Sequence, residues 1–250
     1  MTGDGHTGDQ ATGEQSASAD AAPAALLEID GLQLGPIGTN CYLVRRSGST
    51  AAFVVDPGAE ADRVVATAAE RGVTIEAILI THCHWDHIGG VADLVAATGA
   101  PIWMSATEST MLEDPDQFPI RGPEPIKPAT VDHKLDGDEQ FTVAGISIDV
   151  LPTPGHSPGH LTFVIDGVRL DAATDGTAGE WAMPPVAFVG DVIFQGSVGR
   201  TDLPFSDGAT LARSLSLLTE RLAPETVLLS GHGGVTTMQD ELASNPFLQA

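Results

Sequence analysis

The sequence has little positive charge. Its 11 Lys and Arg residues face 34 Asp and Glu residues, which gives a formal net charge of −23 over 250 residues. Phosphate binding requires a basic surface that displaces counterions, so this imbalance argues against a nucleic-acid partner. Docking to an anionic membrane surface is disfavoured for the same reason. Neither a nucleic acid nor a membrane is therefore expected as a partner.

Cysteine and long hydrophobic runs are also scarce. Two cysteines, Cys41 and Cys83, do not make a disulfide framework. No apolar run approaches the ~20 residues that a membrane span requires. No Lys or Arg precedes Arg45, so the positively charged start of a secretory signal is missing. These absences predict a soluble, cytoplasmic protein with reduced cysteines.

The chain divides into a tail and a folded region. Residues 1–24 are mostly small and polar, which predicts a disordered acidic tail. Over residues 25–250, short β-type runs alternate with helical patterns, and we expect one catalytic domain there. Its two β-then-α halves of similar order predict an α/β sandwich with helices outside two central sheets.

Turn residues and periodicity bound most of the elements. The predicted strands are 26–34, 40–46, 51–56, 75–80, 102–104, 141–143, 146–151, 186–194 and 226–229, and the predicted helices are 59–71, 88–98 and 209–222. Asp166-Gly167 predicts a hairpin between 161–165 and 168–170. The proline-rich segment 113–128 predicts a long loop that could act as a lid, and 171–185 an irregular insertion.

Metal-ligating side chains are concentrated in one loop, residues 81–87. The segment His82-Cys83-His84-Trp85-Asp86-His87 holds three histidines and one aspartate directly after a predicted buried strand. Imidazole nitrogens and carboxylate oxygens together suit Zn²⁺, Fe²⁺ or Mn²⁺. On extended backbone His82 and His84 point the same way, whereas Asp86 and His87 can address a second centre. The spacing predicts a metal site at this end of the strand.

Three later segments repeat the same arrangement. Each places one His or Asp beside glycine at the end of a hydrophobic run, and these residues are His156, Asp191 and His232. A single histidine of this kind is more often an ordinary surface or core residue, but three in series after the first cluster favour a shared site. His133 and His160 lack this context. We interpret His133 as a surface residue and His160 as part of turn packing or as a support for the ligands.

The ordered pattern of seven such residues resembles the metallo-β-lactamase superfamily. The pattern is His82-x-His84-x-Asp86-His87, followed by His156, Asp191 and His232. The resemblance covers nearly all of residues 26–250 and implies a four-layer αβ/βα sandwich. The segments 39–44, 56–58, 196–202 and 245–247 are similar to those of short glyoxalase II-like hydrolases.

The resemblance also implies a role for each ligand. Metal one is held by His82, His84 and His156, metal two by Asp86, His87 and His232, and Asp191 bridges the two ions. Asp86 and Asp191 are accordingly the catalytic candidates. We expect two divalent cations, with zinc first and iron or manganese as alternatives. Two cations ~3.5–4 Å apart can activate a shared water and polarise a carbonyl.

Hydrolysis of a thioester of a small thiol is the leading functional hypothesis. In the glyoxalase II-like hydrolases the substrate class is S-acylglutathione, but the basic and tyrosine-bearing C-terminal extension that holds glutathione is missing or rebuilt here. The alternative is a mononuclear iron persulfide dioxygenase, whose members share the 82–87 cluster and 199–202. Because position 191 is Asp and not Cys, and no export signal is present, a true β-lactamase is disfavoured.

Several neighbouring residues have two interpretations each. Asp56 and Asp202 are carboxylates that could orient metal-bound imidazoles or merely cap turns. Arg200 could bind an anionic group of the substrate or pair with a local acid. We expect Cys83 to point away from the metal and Trp85 to pack beneath its loop. Phe118 and Trp181 could line a substrate mouth or pack locally.

Overall fold

A computed structural model describes residue 1 and residues 26–117, 119, 121–169 and 181–249, with only the backbone described for residues 117, 168, 169, 181 and 182. The predicted tail, Phe118 and most of the insertion 171–185 lie outside the described residues. None of the helices in the described ranges is long and apolar enough to cross a membrane.

The first half of the described chain builds one mixed sheet. Its elements are β1 (Leu27–Leu34), β2 (Thr39–Arg46), β3 (Ala51–Val55), α1 (Ala61–Arg71), β4 (Thr74–Leu79), α2 (Trp85–Ile88), α3 (Val91–Thr98), β5 (Ile102–Ser105), α4 (Ser109–Glu113), a 3₁₀ turn (Pro115–Gln117) and β6 (His133–Leu135). The strands lie in sequence order. β1, β2 and β3 pair antiparallel as predicted, and β3 to β6 pair parallel.

The second half builds a second mixed sheet. Its elements are β7 (Glu139–Val143), β8 (Ile146–Pro152), β9 (Leu161–Ile165), β10 (Val168–Arg169), β11 (Trp181–Met183), β12 (Val186–Gly190), β13 (Ile193–Phe194), β14 (Ser197–Val198), α5 (Gly208–Arg221), β15 (Val227–Ser230), β16 (Thr236–Thr237) and α6 (Met238–Ser244). The six-stranded sheet has the order β16-β15-β12-β9-β8-β7, and β10-β11 and β13-β14 are separate two-stranded sheets.

The two sheets face each other across a hydrophobic layer. Phe53 and Leu79 of the first sheet meet Phe163 and Phe188 of the second, and all four are fully or almost fully buried. Alternate strand residues point to the opposite face, where α1 and α3 cover the first sheet and α5 covers the second. The fold is therefore the predicted four-layer αβ/βα sandwich.

The predicted hairpin between 161–165 and 168–170 is wrong. β9 pairs with β8 along one edge and with β12 along the other, so no edge remains for a further strand. β10 instead pairs antiparallel with β11. The predicted helix 88–98 is also interrupted, because Gly89-Gly90 separates α2 from α3.

The topology brings several strand ends to one place. β8 and β12 both run antiparallel to β9, and β15 runs parallel to β12. The carboxyl ends of β8, β12 and β15 therefore lie at the same edge of the second sheet. His156, Asp191 and His232 follow these three strands.

Candidate metal centre

Seven side chains converge at this edge of the sandwich. Each of the seven predicted ligands comes from a loop or short helix that follows a strand. Among the described residues, three groups each have their ligand atoms within 4.8 Å of one another. Two of them are the three-histidine cluster, defined by His82, His84 and His156, and the Asp86 cluster, defined by Asp86, His87 and His232. The third group, Asp56, His82 and His87, shares one histidine with each of them. His84 has an extended backbone conformation directly before α2, whereas Asp86 and His87 lie on the single turn of α2.

The carboxylate of Asp191 lies between the two clusters. Its Oδ1 is 3.4 Å from His87 Nε2, and its Oδ2 is 3.5 Å from His156 Nε2 and 3.4 Å from His232 Nε2. A side chain at residue 231 would fill this space, because a Cβ there would lie 2.2 Å from Asp191 Oδ1. Gly231 therefore allows the backbone after β15 to approach the carboxylate.

Hydrogen bonds fix the orientation of the three-histidine cluster. The Thr81 hydroxyl donates to Asp56 Oδ2 (2.6 Å) and can accept from the Nδ1–H of His82 (3.0 Å). The Nδ1 of His156 lies 2.9 Å from the carbonyl oxygen of Arg200, which can only accept. Both imidazoles are thereby held as the tautomer that leaves Nε2 unprotonated and aimed at the centre. His82 Nε2 lies 3.0 Å from His84 Nδ1.

Asp56 also orients the Asp86 cluster. The His87 Nδ1 lies 2.8 Å from Asp56 Oδ2, and Thr39 Oγ1 donates to Asp86 Oδ2 over 2.8 Å. Of the two sequence interpretations of Asp56, its contact with His87 fits the orienting role. Asp86 Oδ2 in turn lies 3.3 Å from His87 Nε2 and 3.1 Å from His232 Nε2.

The histidines of the two clusters differ in the direction in which their pKa values are shifted. Burial lowers the pKa of His84 to about 3 and also lowers the pKa values of His82 and His156. Burial opposes protonation of His232 too, but hydrogen bonds to Asp191 and Asp86 raise its pKa to about 9. The three-histidine cluster is therefore neutral at pH 7, whereas the carboxylates of the Asp86 cluster attract positive charge.

Some buried polar atoms at the centre have no hydrogen-bond partner. They include His87 Nε2, His156 Nε2 and Asp191 Oδ1. Buried polar atoms are normally paired, and an unsatisfied one costs free energy. All three face the space between the clusters, so a bound cation would satisfy them together. The donor set of imidazoles and carboxylates thus fits divalent metal ions.

Asp202 and Cys83 have side chains whose described contacts are with residues other than the candidate ligands. Asp202 lies at the surface, where its carboxylate pairs with the Arg200 guanidinium at 2.6 Å, and the side chains of both residues are more than half exposed. Among the described contacts of Asp202, none reaches a histidine, so the orienting role is wrong for it. Cys83 is buried with its Sγ 3.0 Å from Met111 Sδ, and burial raises the pKa of its thiol.

His160 has the supporting role predicted for it, whereas Trp85 lies beside a cavity. His160 is fully buried and accepts the backbone N–H of Asp191 at Nε2 over 3.1 Å, so its Nδ1–H faces Thr153 Oγ1. It therefore supports a ligand. Trp85 packs against Gly122 and helps line a cavity of about 300 Å³, on the Cys83 side of the ligand loop. His133 is exposed and stacks on Trp103.

The buried carboxylate of Glu108 is a feature that the sequence did not predict. Its Oε2 accepts the backbone N–H of Cys83, and its Oε1 accepts that of Gly159, each over 2.7 Å. Burial raises the pKa of its carboxyl above the ordinary range. No motif signals this residue, because it lies before α4 and far in sequence from the ligands it approaches.

The fold and the cluster geometry agree with comparisons to known proteins. A family model of the metallo-beta-lactamase superfamily matches residues 34–177, which is more than half of the chain. The chain belongs to the metallo-β-lactamase superfamily. Its paired His and Asp clusters are of the kind that form the binuclear metal site of this superfamily.

Three relatives illustrate the range of this superfamily. Hydroxyacylglutathione hydrolase GloC of Haemophilus influenzae is 33% identical over 214 residues, which is 84% of this chain and 93% of that protein. The crystal structure of BLEG-1 B3 metallo-β-lactamase has a TM-score of 0.76 and 32% identity, covering 89% of this chain and 100% of that one. TTHA1623 in a di-iron-bound form has a TM-score of 0.68 and 34% identity, covering 88% and 100%.

Proposed function

We propose that this metal-dependent hydrolase of the metallo-β-lactamase superfamily cleaves a thioester of a small thiol, an S-acylglutathione or an equivalent. The unpaired buried nitrogen and oxygen atoms that converge around Asp191 carry the proposal, because bound cations would satisfy them together. The similarity to GloC, a hydroxyacylglutathione hydrolase, supports the substrate class.

The proposed ligands follow the two clusters. His82, His84 and His156 would hold one ion, Asp86, His87 and His232 the other, and Asp191 would bridge them. Zinc is the first expectation, and the di-iron form of TTHA1623 supports iron as the alternative. Two such ions would lower the pKa of a bound water and polarise a carbonyl oxygen of the substrate.

The side chains of this chain supply position and charge for the reaction. The imidazole of His232 is 30% exposed, whereas that of His87 is fully buried, so substrate reaches the centre from the His232 side. The negative charges of the Asp86 and Asp191 carboxylates would partly neutralise the positive charge of the two bound ions. A thiolate leaves without a strong protein acid, which suits a site of this composition. Arg200 contacts His156 through its backbone carbonyl, and its exposed guanidinium pairs with Asp202. In the proposed complex this guanidinium would release Asp202 and bind an anionic group of the substrate.

Thioester turnover by the purified protein tests the proposal. We expect hydrolysis of at least one member of a panel of S-acyl derivatives of glutathione and other small thiols, measured as released thiol. Asp191→Ala should abolish turnover and lower the metal content, because it removes a ligand shared by both ions. Asp93→Ala is the matched control, since Asp93 is exposed and pairs only with Lys127 among its described contacts.

One outcome would refute the bridging role of Asp191, and another would replace the proposed reaction. Unchanged turnover in Asp191→Ala would refute the bridging assignment. One iron per chain, with oxygen uptake on a persulfide and no thioester turnover, would identify the persulfide dioxygenase instead.

Hydrolysis of a β-lactam is a second candidate. The BLEG-1 B3 metallo-β-lactamase structure favours it through its 32% identity over 89% of this chain. A β-lactam releases an amine nitrogen, which needs a proton that a thiolate does not, so thioesters should be the better substrates. A chromogenic cephalosporin in the same assay compares the two activities.

A further inference from the structure

Glu108 connects the two loops that supply the three-histidine cluster. It is fully buried directly before α4. One carboxylate oxygen accepts the N–H of Cys83, which lies between His82 and His84 in the sequence. The other accepts the N–H of Gly159, which follows His156 by three residues. Both bonds measure 2.7 Å, so a single side chain sets the spacing of two ligand loops.

The close approach of Gly159 shows that this contact is tightly fitted. A Cβ at residue 159 would lie 2.9 Å from Glu108 Cγ and 2.5 Å from Ser105 Oγ. Any side chain there would push the loop away from the carboxylate. The Asp86 cluster has different supports, because Thr39 contacts Asp86 and Asp56 contacts His87. Glu108 takes part in neither of these contacts.

We propose that Glu108 is a positioning residue that sets the metal affinity of the three-histidine cluster and leaves that of the Asp86 cluster unchanged. It acts through the backbone of the two loops and does not touch the metal. The inference rests on the ligand assignment proposed above, but it does not depend on the substrate.

The effect on each cluster can be measured separately in full-length protein. His232→Ala removes a ligand from the Asp86 cluster, and His84→Ala removes one from the three-histidine cluster. Each variant is stripped of metal and titrated with Zn²⁺ against a chromophoric chelator, with and without Glu108→Gln. Gln keeps one oxygen acceptor but turns an amide donor toward the other N–H, so one of the two bonds is lost.

We expect Glu108→Gln to weaken zinc binding about tenfold in the His232→Ala background and to change it less than about twofold in the His84→Ala background. The matched control is Glu113→Gln. Glu113 ends the same helix, but its carboxylate accepts the N–H of Val131 and pairs with Lys134, away from the ligands. It should leave zinc affinity unchanged in both backgrounds.

Gly159→Ala provides a second variant if Glu108→Gln does not fold. It should reproduce the same selective weakening, because the added methyl group separates the loop from Glu108. Equal weakening in both backgrounds, or none in the His232→Ala background, would overturn the inference. If His84→Ala and His232→Ala alone leave zinc affinity and stoichiometry unchanged, the ligand assignment itself has failed.

Discussion

At the scale of single residues, the candidate centre consists of seven candidate ligands and of the buried side chains that contact them or their loops. The seven metal-ligand candidates form a recognisable pattern because each follows a strand and many are histidines. Glu108 has no such signature, since its role depends on two loops that only the folded chain brings together. Asp202 had a suggestive position but pairs with Arg200 at the surface. Local spacing therefore identifies candidate ligands more readily than it identifies the residues that hydrogen-bond to the ligand loops.

Replacing Asp56 by Asn should weaken metal binding about 10–100-fold. The Asp56 carboxylate accepts from Thr81 and contacts His87, and Asn would turn a donor toward one of them. Metal content after dialysis and zinc competition titrations would measure the loss. Asp93→Asn is the control, because Asp93 is exposed and pairs with Lys127. Equal metal retention in the two variants would contradict the role given to Asp56.

Zinc affinity of the Asp86 cluster should increase with pH. The pKa of His232 in the metal-free protein is about 9, so a cation must displace its proton at neutral pH. Affinity should therefore increase as the pH rises toward about 9 and level off above it. Because the histidines of the three-histidine cluster have lowered pKa values, affinity there should be flat between pH 7 and 9. Titrations of the His84→Ala and His232→Ala variants would compare the two clusters, and parallel curves would contradict this account.

At the scale of elements, periodicity predicted the long strands and helices but not the short ones. α2 is a single turn, and a four-residue helix has no period to detect. α6 went unpredicted, although Thr237 accepts from the backbone N–H of Asp240 as an N-cap. The hairpin error at 161–170 arose because Asp-Gly signals a turn locally, whereas strand pairing depends on the distant β12.

Leu218→Ala should destabilise the fold by about 2–5 kcal/mol without altering metal stoichiometry. Leu218 is fully buried where α5 packs on the second sheet, and none of the ligands lies in α5. Urea unfolding of the metal-free protein would measure the change. Leu242→Ala, at a residue 40% exposed in α6, should shift stability by less than about 0.5 kcal/mol. Similar midpoints for both variants would contradict the assigned packing.

At the scale of the whole molecule, the sandwich brings the carboxyl ends of strands from both sheets to one edge. The candidate ligands follow β4 of the first sheet and β8, β12 and β15 of the second, so they meet at one edge. The order of the predicted elements indicated two sheets and outer helices, because β-then-α halves must cover their apolar faces. The mixed strand order inside each sheet depends on long-range pairing and could not be predicted from local patterns.

Removal of residues 1–24 should leave turnover and melting temperature unchanged. This polar segment has almost nothing to bury, so the folded domain gains little from it. Paired assays of the full-length and shortened proteins would test the prediction. A large loss of either property would show that the segment docks on the domain.

The metal stoichiometry of purified protein, determined by elemental analysis without added metal, tests the central claim most directly. Two clusters sharing Asp191 predict about two divalent ions per chain, as zinc or as zinc mixed with iron. Removing both with a chelator should abolish hydrolysis, and restoring them should recover it. One ion per chain, unchanged after incubation with excess Zn²⁺, would contradict a binuclear centre.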